Sequence, residues 1–302
     1  MKNTWTLDHY LILLAECSFL TPTDKWALLG SVYPDLIAEL DLPWLAKIRL
    51  NSEKARRFSH FIAISGRDII NSYDLDPVDR LTFFDPSYPD PLRHIYAPPL
   101  LLYYKGDLTL LDRTILGVVG PRRPSDYSLT GIRTLLPGLI QKDLVISSGL
   151  AMGVDAWAHQ AAIYFGGSTI AVVATGLDLA YPASNRKLQE LIGQKHLVIS
   201  EYPYGCRAQK WHFPERNRII AGISRGILVT EARKRSGTLI TAQLALEEGR
   251  DVFALPGRID SPLSEGCNLL ISQGARPVTH QEDILKDLSL IHISEPTRLG
   301  MI

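Results

Sequence analysis

ILGVVG, residues 115–120, is apolar until it ends in a glycine, and later short runs share its β-rich, apolar character. They are LVIS (144–147), TIAVVAT (169–175), LVISEY (197–202), GILVTEA (226–232), DVFALPG (251–257) and RPVTH (276–280). A strand with one face in water alternates apolar and polar residues. Strands that are apolar throughout are buried on both faces, as in a parallel sheet covered by helices. Helical-length stretches separate these runs, so residues 115–288 read as one α/β domain, Rossmann-like and doubly wound around a mostly parallel sheet. Ligands of such sheets bind beyond the carboxyl ends of the strands, and that rule directs attention to the residues just after each run.

Those residues are glycine, serine and cations. The first run ends in Gly120, Pro121 and Arg122, where a glycine admits close backbone approach and an arginine can fork onto a phosphate. The second ends in a Ser148–Gly149 turn, and the third leads through Gly176 to Asn185, Arg186 and Lys187. After the fourth comes Lys210-Trp211-His212-Phe213. The fifth is followed by Arg233, Lys234 and Arg235, and then by Ser236, Gly237 and Thr238 at a helix start that Ser236 can cap. Backbone amides at a helix start attract anions.

FPERNRIIAG, residues 213–222, offers a second site of that kind. Pro214 marks a helix entry, Arg216, Asn217 and Arg218 cluster there, and Ile219, Ile220 and Ala221 bury one side. Arg122, Lys187, Lys210, Arg216, Arg218 and Arg235 thus all come after strand ends, which makes one face basic although the chain balances 32 Lys and Arg against 32 Asp and Glu. Neutrality excludes a histone-like coat, so phosphate affinity must be local. An extended phosphate backbone accounts for so many cations better than one small phosphate does. Trp211 and Phe213 fit either a core or a base-stacking platform, with Phe213 the better candidate for the platform.

The N-terminal part differs. Apolar residues recur at helical spacing in Leu7–Ala15, in Thr23–Tyr33 with Thr23 as a possible cap, in Pro34–Leu40 and in Asn51–Ile64, giving a small all-helical unit over residues 1–75. Asp8 and Glu16 bracket an apolar run too short to span a bilayer, so no membrane role is implied. Residues 76–114 form a proline-rich connector whose LLLYYKG segment should add an edge strand. Cys17, Cys206 and Cys267 are odd in number and scattered, which suits neither a disulfide framework nor a zinc site and points to a reducing cytoplasm. Residues 289–302 resemble translated adaptor or vector sequence and are set aside as a non-native tail.

Several strings carry a resemblance: VVGPRRPS, SGLAMGVDAWAHQAA, ATGLDLAYPASNRKL, SEYPYG, the long segment from HFPERNRIIAG to DVFALPG, and EGCNLLISQGA. In this order, over residues 117–275, they resemble the bacterial DNA-processing protein A (DprA/Smf) family, and the N-terminal helices resemble the sterile-alpha-motif (SAM)-like domain of many members. The resemblance implies a cytoplasmic, non-enzymatic homodimer, without cofactor, that binds incoming single-stranded DNA during natural transformation, protects it and loads the recombinase RecA. By position it places the family's glycine-serine-arginine turn on Gly120, Pro121 and Arg122, with proline replacing serine. It places the DNA-pocket lysine on Lys210 and the arginine before the helix start on Arg235, with Asn185 and Lys187 in the equivalent basic loop.

Two rivals share the fold class. A dinucleotide-dependent oxidoreductase needs GxGxxG and an acid after the second strand, where this chain has GPRRPS and serines. A nucleotide phosphoribohydrolase of the cytokinin-activating type needs a carboxylate in GTxxE, and this chain has Thr241 there. Asp155, Asp178, Glu201 and Glu231 lie near strand ends too. They are assigned to helix caps and to hydrogen bonds that orient the cations, with no metal expected.

Overall fold

The computed structural model describes residues 5–40 and 42–293. Helices α1 (Leu7–Glu16), α2 (Pro22–Val32), α3 (Pro34–Ala38) and α4 (Ser52–Leu75) come first, followed by strand β1 (Arg80–Thr82), helix α5 (Asp90–Arg93) and strand β2 (Leu101–Gly106). Strand and helix then alternate: β3 (Ile115–Val119), α6 (Asp126–Gln141), β4 (Val145–Ser148), α7 (Val154–Tyr164), β5 (Thr169–Val173), α8 (Arg186–Lys195) and β6 (Leu197–Ser200). The alternation continues through α9 (His212–Ile223), β7 (Gly226–Val229), α10 (Gly237–Glu247), β8 (Asp251–Ala254), α11 (Glu265–Ser272), β9 (Arg276–Pro277) and α12 (Gln281–Ile293).

One nine-stranded sheet runs β1-β2-β6-β5-β4-β3-β7-β8-β9. The seven strands from β3 to β9 are all parallel, and only β1 and β2 join antiparallel. All seven apolar runs read from the sequence are strands. Their side chains feed hydrophobic clusters on both faces of the sheet, as burial on both faces requires. Ile115, Val119, Val145 and Ile227 face a core shared with α9, α10 and the N-terminal helices, whereas Leu116, Val118, Ile146 and Leu228 face α6, α7 and α12. The chain winds outward from β3 to β6, returns, and winds the other way through β7, so the switch point lies between β3 and β7.

Three expectations need correction. LLLYYKG is not the edge, because β1 pairs with β2 on its outer side. The cap of α2 is Thr21, not Thr23: Pro22 takes the first helical position, Thr21 Oγ1 accepts from the Asp24 amide, and Asp24 accepts in turn from the Thr21 amide. Helix α4 outlasts Ile64 by three turns, since Gly66 and Ile70 continue its buried side. At the C-terminal end α12 extends through Ile293, into the stretch set aside as a tail, and residues 294–302 lie outside the described residues.

The N-terminal helices share the core of the sheet. Trp26 donates from Nε1 to the Pro98 carbonyl at 2.8 Å, Arg80 pairs with Asp8 at 2.7 Å, and the Tyr73 and Tyr103 hydroxyls meet at 2.7 Å. No helix among the described residues is long and apolar enough to cross a membrane.

Candidate nucleic-acid interface

A cavity of about 390 Å³ opens at the switch point, over the carboxyl ends of β3 and β7. Its walls bring together Gly120, Arg122, Phe213, Arg216 and Asn217 with the Ser236–Gly237–Thr238 start of α10. Glycine is required at position 120, where a Cβ would stand 2.5 Å from Val154 and 2.6 Å from the Thr230 hydroxyl. The loop from Pro121 is anchored by buried Glu231, which accepts from the Ser125 amide at 2.9 Å, the Ser125 hydroxyl at 2.6 Å and the Ser128 hydroxyl at 2.7 Å. Ser125 in turn caps α6.

Arg122 is exposed, and its guanidinium lies over the Phe213 ring, 5.1 Å from the centroid. Tyr181, half exposed, packs its ring 5.4 Å from that of Phe213. A guanidinium plane and two rings form one platform at the mouth of the cavity, the arrangement on which unstacked bases rest. The start of α10 points into the same space. Ser236 does not cap it as expected: its buried hydroxyl has no hydrogen-bond partner among the described residues, and nothing lies within 4 Å of a Cβ built on Gly237. Amides at the positive end of a helix, an unpaired hydroxyl and open space together suit an oxyanion.

The remaining candidates divide. Lys187, Lys210 and Arg235 are exposed but outside the cavity wall. Asn185 holds the platform loop, donating to the Leu150 carbonyl at 2.9 Å and the Ala151 carbonyl at 3.2 Å. Ser148 is buried and stitches β4 to β3 by donating to the Val118 carbonyl at 2.7 Å.

Arg216 and Arg218 depart from the reading as phosphate ligands. Arg216 is only 4% exposed and spends its guanidinium on the carbonyls of Gly149, at 2.5 Å, and Val172. Burial lowers its pKa, and Asp155 opposes that shift. Gly149 makes room for it, since a Cβ there would collide with the guanidinium. Arg218 turns to the opposite side of α9 and pairs with buried Glu201. A helix rotates about 100° per residue, so arginines two apart cannot share a face, and both are folded inward as braces.

Of the acids assigned to caps and cation-orienting bonds, Glu201 pairs with Arg218, whereas Glu231 holds Ser125 and Ser128, Asp178 accepts from the Gly205 amide and Asp155 from the Ala151 amide. No group of three acids, histidines or cysteines among the described residues could hold a metal. Reasoning from the sequence missed Tyr181 and left Arg233, which borders the cavity, among ordinary loop cations. The signal available for Tyr181 was an aromatic residue shortly before Asn185; Arg186 and Lys187, expected in a loop, open α8.

This is a doubly wound α/β protein with a cavity and an aromatic-cationic platform at its switch point. The family model described as DNA recombination-mediator protein A matches residues 79–289, and the chain belongs to that family. It is 51% identical over 216 residues to DNA processing protein DprA of Streptococcus pneumoniae, covering 72% of this chain and 76% of that protein. Protein Smf of Escherichia coli is 44% identical over 67% of this chain and 54% of its own length. The X-ray structure of S. pneumoniae DprA superposes with a TM-score of 0.83 at 41% identity, covering 94% of this chain and 99% of that one. A structure of DNA processing protein A from Helicobacter pylori, solved for its single-stranded DNA binding mode, aligns at TM-score 0.64 and 31% identity over 71% of this chain and 98% of that one.

Proposed function

We propose that this chain binds single-stranded DNA across the strand-end face, without enzymatic action, and acts in DNA processing during natural transformation. The observation that carries the reading is Arg122 lying over Phe213 beside the open start of α10. Phosphates meet Arg122, the α10 amides and the exposed cations Lys210 and Arg235, while bases rest on the Phe213–Tyr181 platform. Arg216 braces the floor, Arg218 is held by Glu201 on the other side of α9, and neither contacts the strand. Within this role the protein protects incoming DNA in the cytoplasm and loads RecA as a homodimer, the activities that the family resemblance implies.

Duplex binds more weakly, because stacked bases cannot reach a platform at a cavity mouth. Gel shifts with an oligonucleotide and its duplex, titrated with salt, test this. Arg122→Ala should weaken all sequences alike and reduce the magnitude of the salt slope by about 0.7, one neutralised phosphate on a single strand. An unchanged slope in both Arg122→Ala and Arg235→Ala removes the phosphate assignment. Assembly of RecA filaments on the bound strand is the second readout. Thr241 lies buried where the phosphoribohydrolase chemistry needs a carboxylate, and no observation favours that rival.

A further inference from the structure

A second concavity, a cleft of about 460 Å³, lies between the loop joining α1 to α2 and the loop joining β6 to α9. Trp211 stands in it 56% exposed and Tyr204 45% exposed, two large aromatics lining one cleft. Phe19 lines the other wall with Arg57 over its ring, 4.0 Å from the centroid, and Lys25 is there too. Neither Lys25 nor Arg57 makes a salt bridge among the described residues.

Trp211 and Phe213 flank the first turn of α9 and are two residues apart, so their side chains leave it on opposite sides. The start of α9 is therefore a ridge, roughly 10 Å across, with the switch-point cavity on one side and this cleft on the other. Exposed Lys210 sits at its tip. Resting on the proposed single-strand reading, we propose that the strand crosses this ridge and seats a further nucleobase in the cleft, stacked on Trp211.

Carboxyl groups in the cleft give the base a preference. Glu215 accepts from the Tyr202 hydroxyl at 3.0 Å and Glu16 from the Tyr73 hydroxyl at 2.6 Å, and each has a second oxygen that accepts no side-chain hydrogen bond among the described residues. An exposed amino group of adenine, cytosine or guanine can donate to such an oxygen, whereas thymine has no amino group and offers only a ring N–H flanked by two carbonyls. Lys25 and Arg57 supply the cations for the flanking phosphates.

The test uses the full chain with short homopolymers of each base and reads both affinity and tryptophan emission. Trp211→Ala removes an exposed side chain, so melting should match the wild type. Affinity for oligonucleotides long enough to cross the ridge should fall roughly 5- to 100-fold, with little change for those that fill only the cavity. The wild type should lose emission on binding, and Trp211→Phe should not. Glu215→Gln should narrow the preference for oligo-dA and oligo-dC over oligo-dT. Equal affinity of Trp211→Ala and the wild type at every length, with Arg122→Ala still impaired, overturns this inference and leaves the single-strand reading standing. Failure of the wild type to bind any single strand overturns both. Normal DNA binding by Trp211→Ala with RecA assembly lost would assign the cleft to a protein partner instead, and would also overturn it.

Discussion

Arg216→Met separates a brace from a ligand. The guanidinium is buried, donates to the carbonyls of Gly149, just past β4, and of Val172 in β5, and lies near buried Asp155. Methionine fills a similar length but leaves both carbonyls without a donor, at about 1–3 kcal/mol for each buried group, and leaves the acid uncompensated. Removing one partner of a buried charged arrangement costs about 3–5 kcal/mol, and that range is the expected total. At about 2–4 °C per kcal/mol the Tm should drop by roughly 6–20 °C. Thermal and urea melts measure this. A salt titration of oligonucleotide binding, run where the variant is still folded, should return the wild-type slope. If Arg216→Met melted with the wild type while its slope shrank by about 0.7, the arginine would be a phosphate ligand and the bracing account would be wrong.

Glu231→Gln removes a carboxylate, yet it should weaken rather than strengthen single-strand binding. The anion holds the Ser125 amide and two serine hydroxyls, and so fixes the loop that aims Arg122. A loss of about 2–3 kcal/mol of stability is expected from these charge-assisted bonds, and tighter binding in gel shifts would contradict it. His159 concerns acid stability: it is buried with Nδ1 2.6 Å from the Thr169 hydroxyl, and burial pushes its pKa from 6.5 down to about 3. The unfolded chain takes that proton near 6.5 and the folded chain only near 3, so its contribution is intact above 6.5 and drains as pH falls across that window. Urea melts of His159→Gln between pH 6.5 and 4 should show a shallower decline, by about a few kcal/mol over the window, and an unaltered decline would place the acid sensitivity elsewhere.

The parallel sheet was legible because burial on both faces leaves a local trace: an apolar run punctuated by glycine reads as an interior strand without knowledge of its neighbours. The location of the site came from the same trace, since cations and small residues after strand ends are a feature of the chain order. Gly120, Arg122, Phe213 and the start of α10 were found that way and meet in one cavity. The edge strand Arg80–Thr82 escaped because three residues carry too little periodicity, and its position outside β2 depends on a partner distant in sequence.

Only the tertiary structure decided which arginines are free. In FPERNRIIAG the two arginines are chemically alike and equally close to a strand end, so composition and spacing assign them one role. Rotation along α9 sends Arg216 under the turn at Gly149 and Arg218 toward Glu201, where each is desolvated and must be paired. The same rotation leaves Trp211 exposed on one flank and Phe213 against Arg122 on the other. Sequence therefore determines that charge and aromaticity gather at this end of the sheet, because both are properties of residues near strand ends. Which of them faces water is a property of packing, set by a carbonyl and a carboxylate just past β4 and β6 and by a carbonyl of β5.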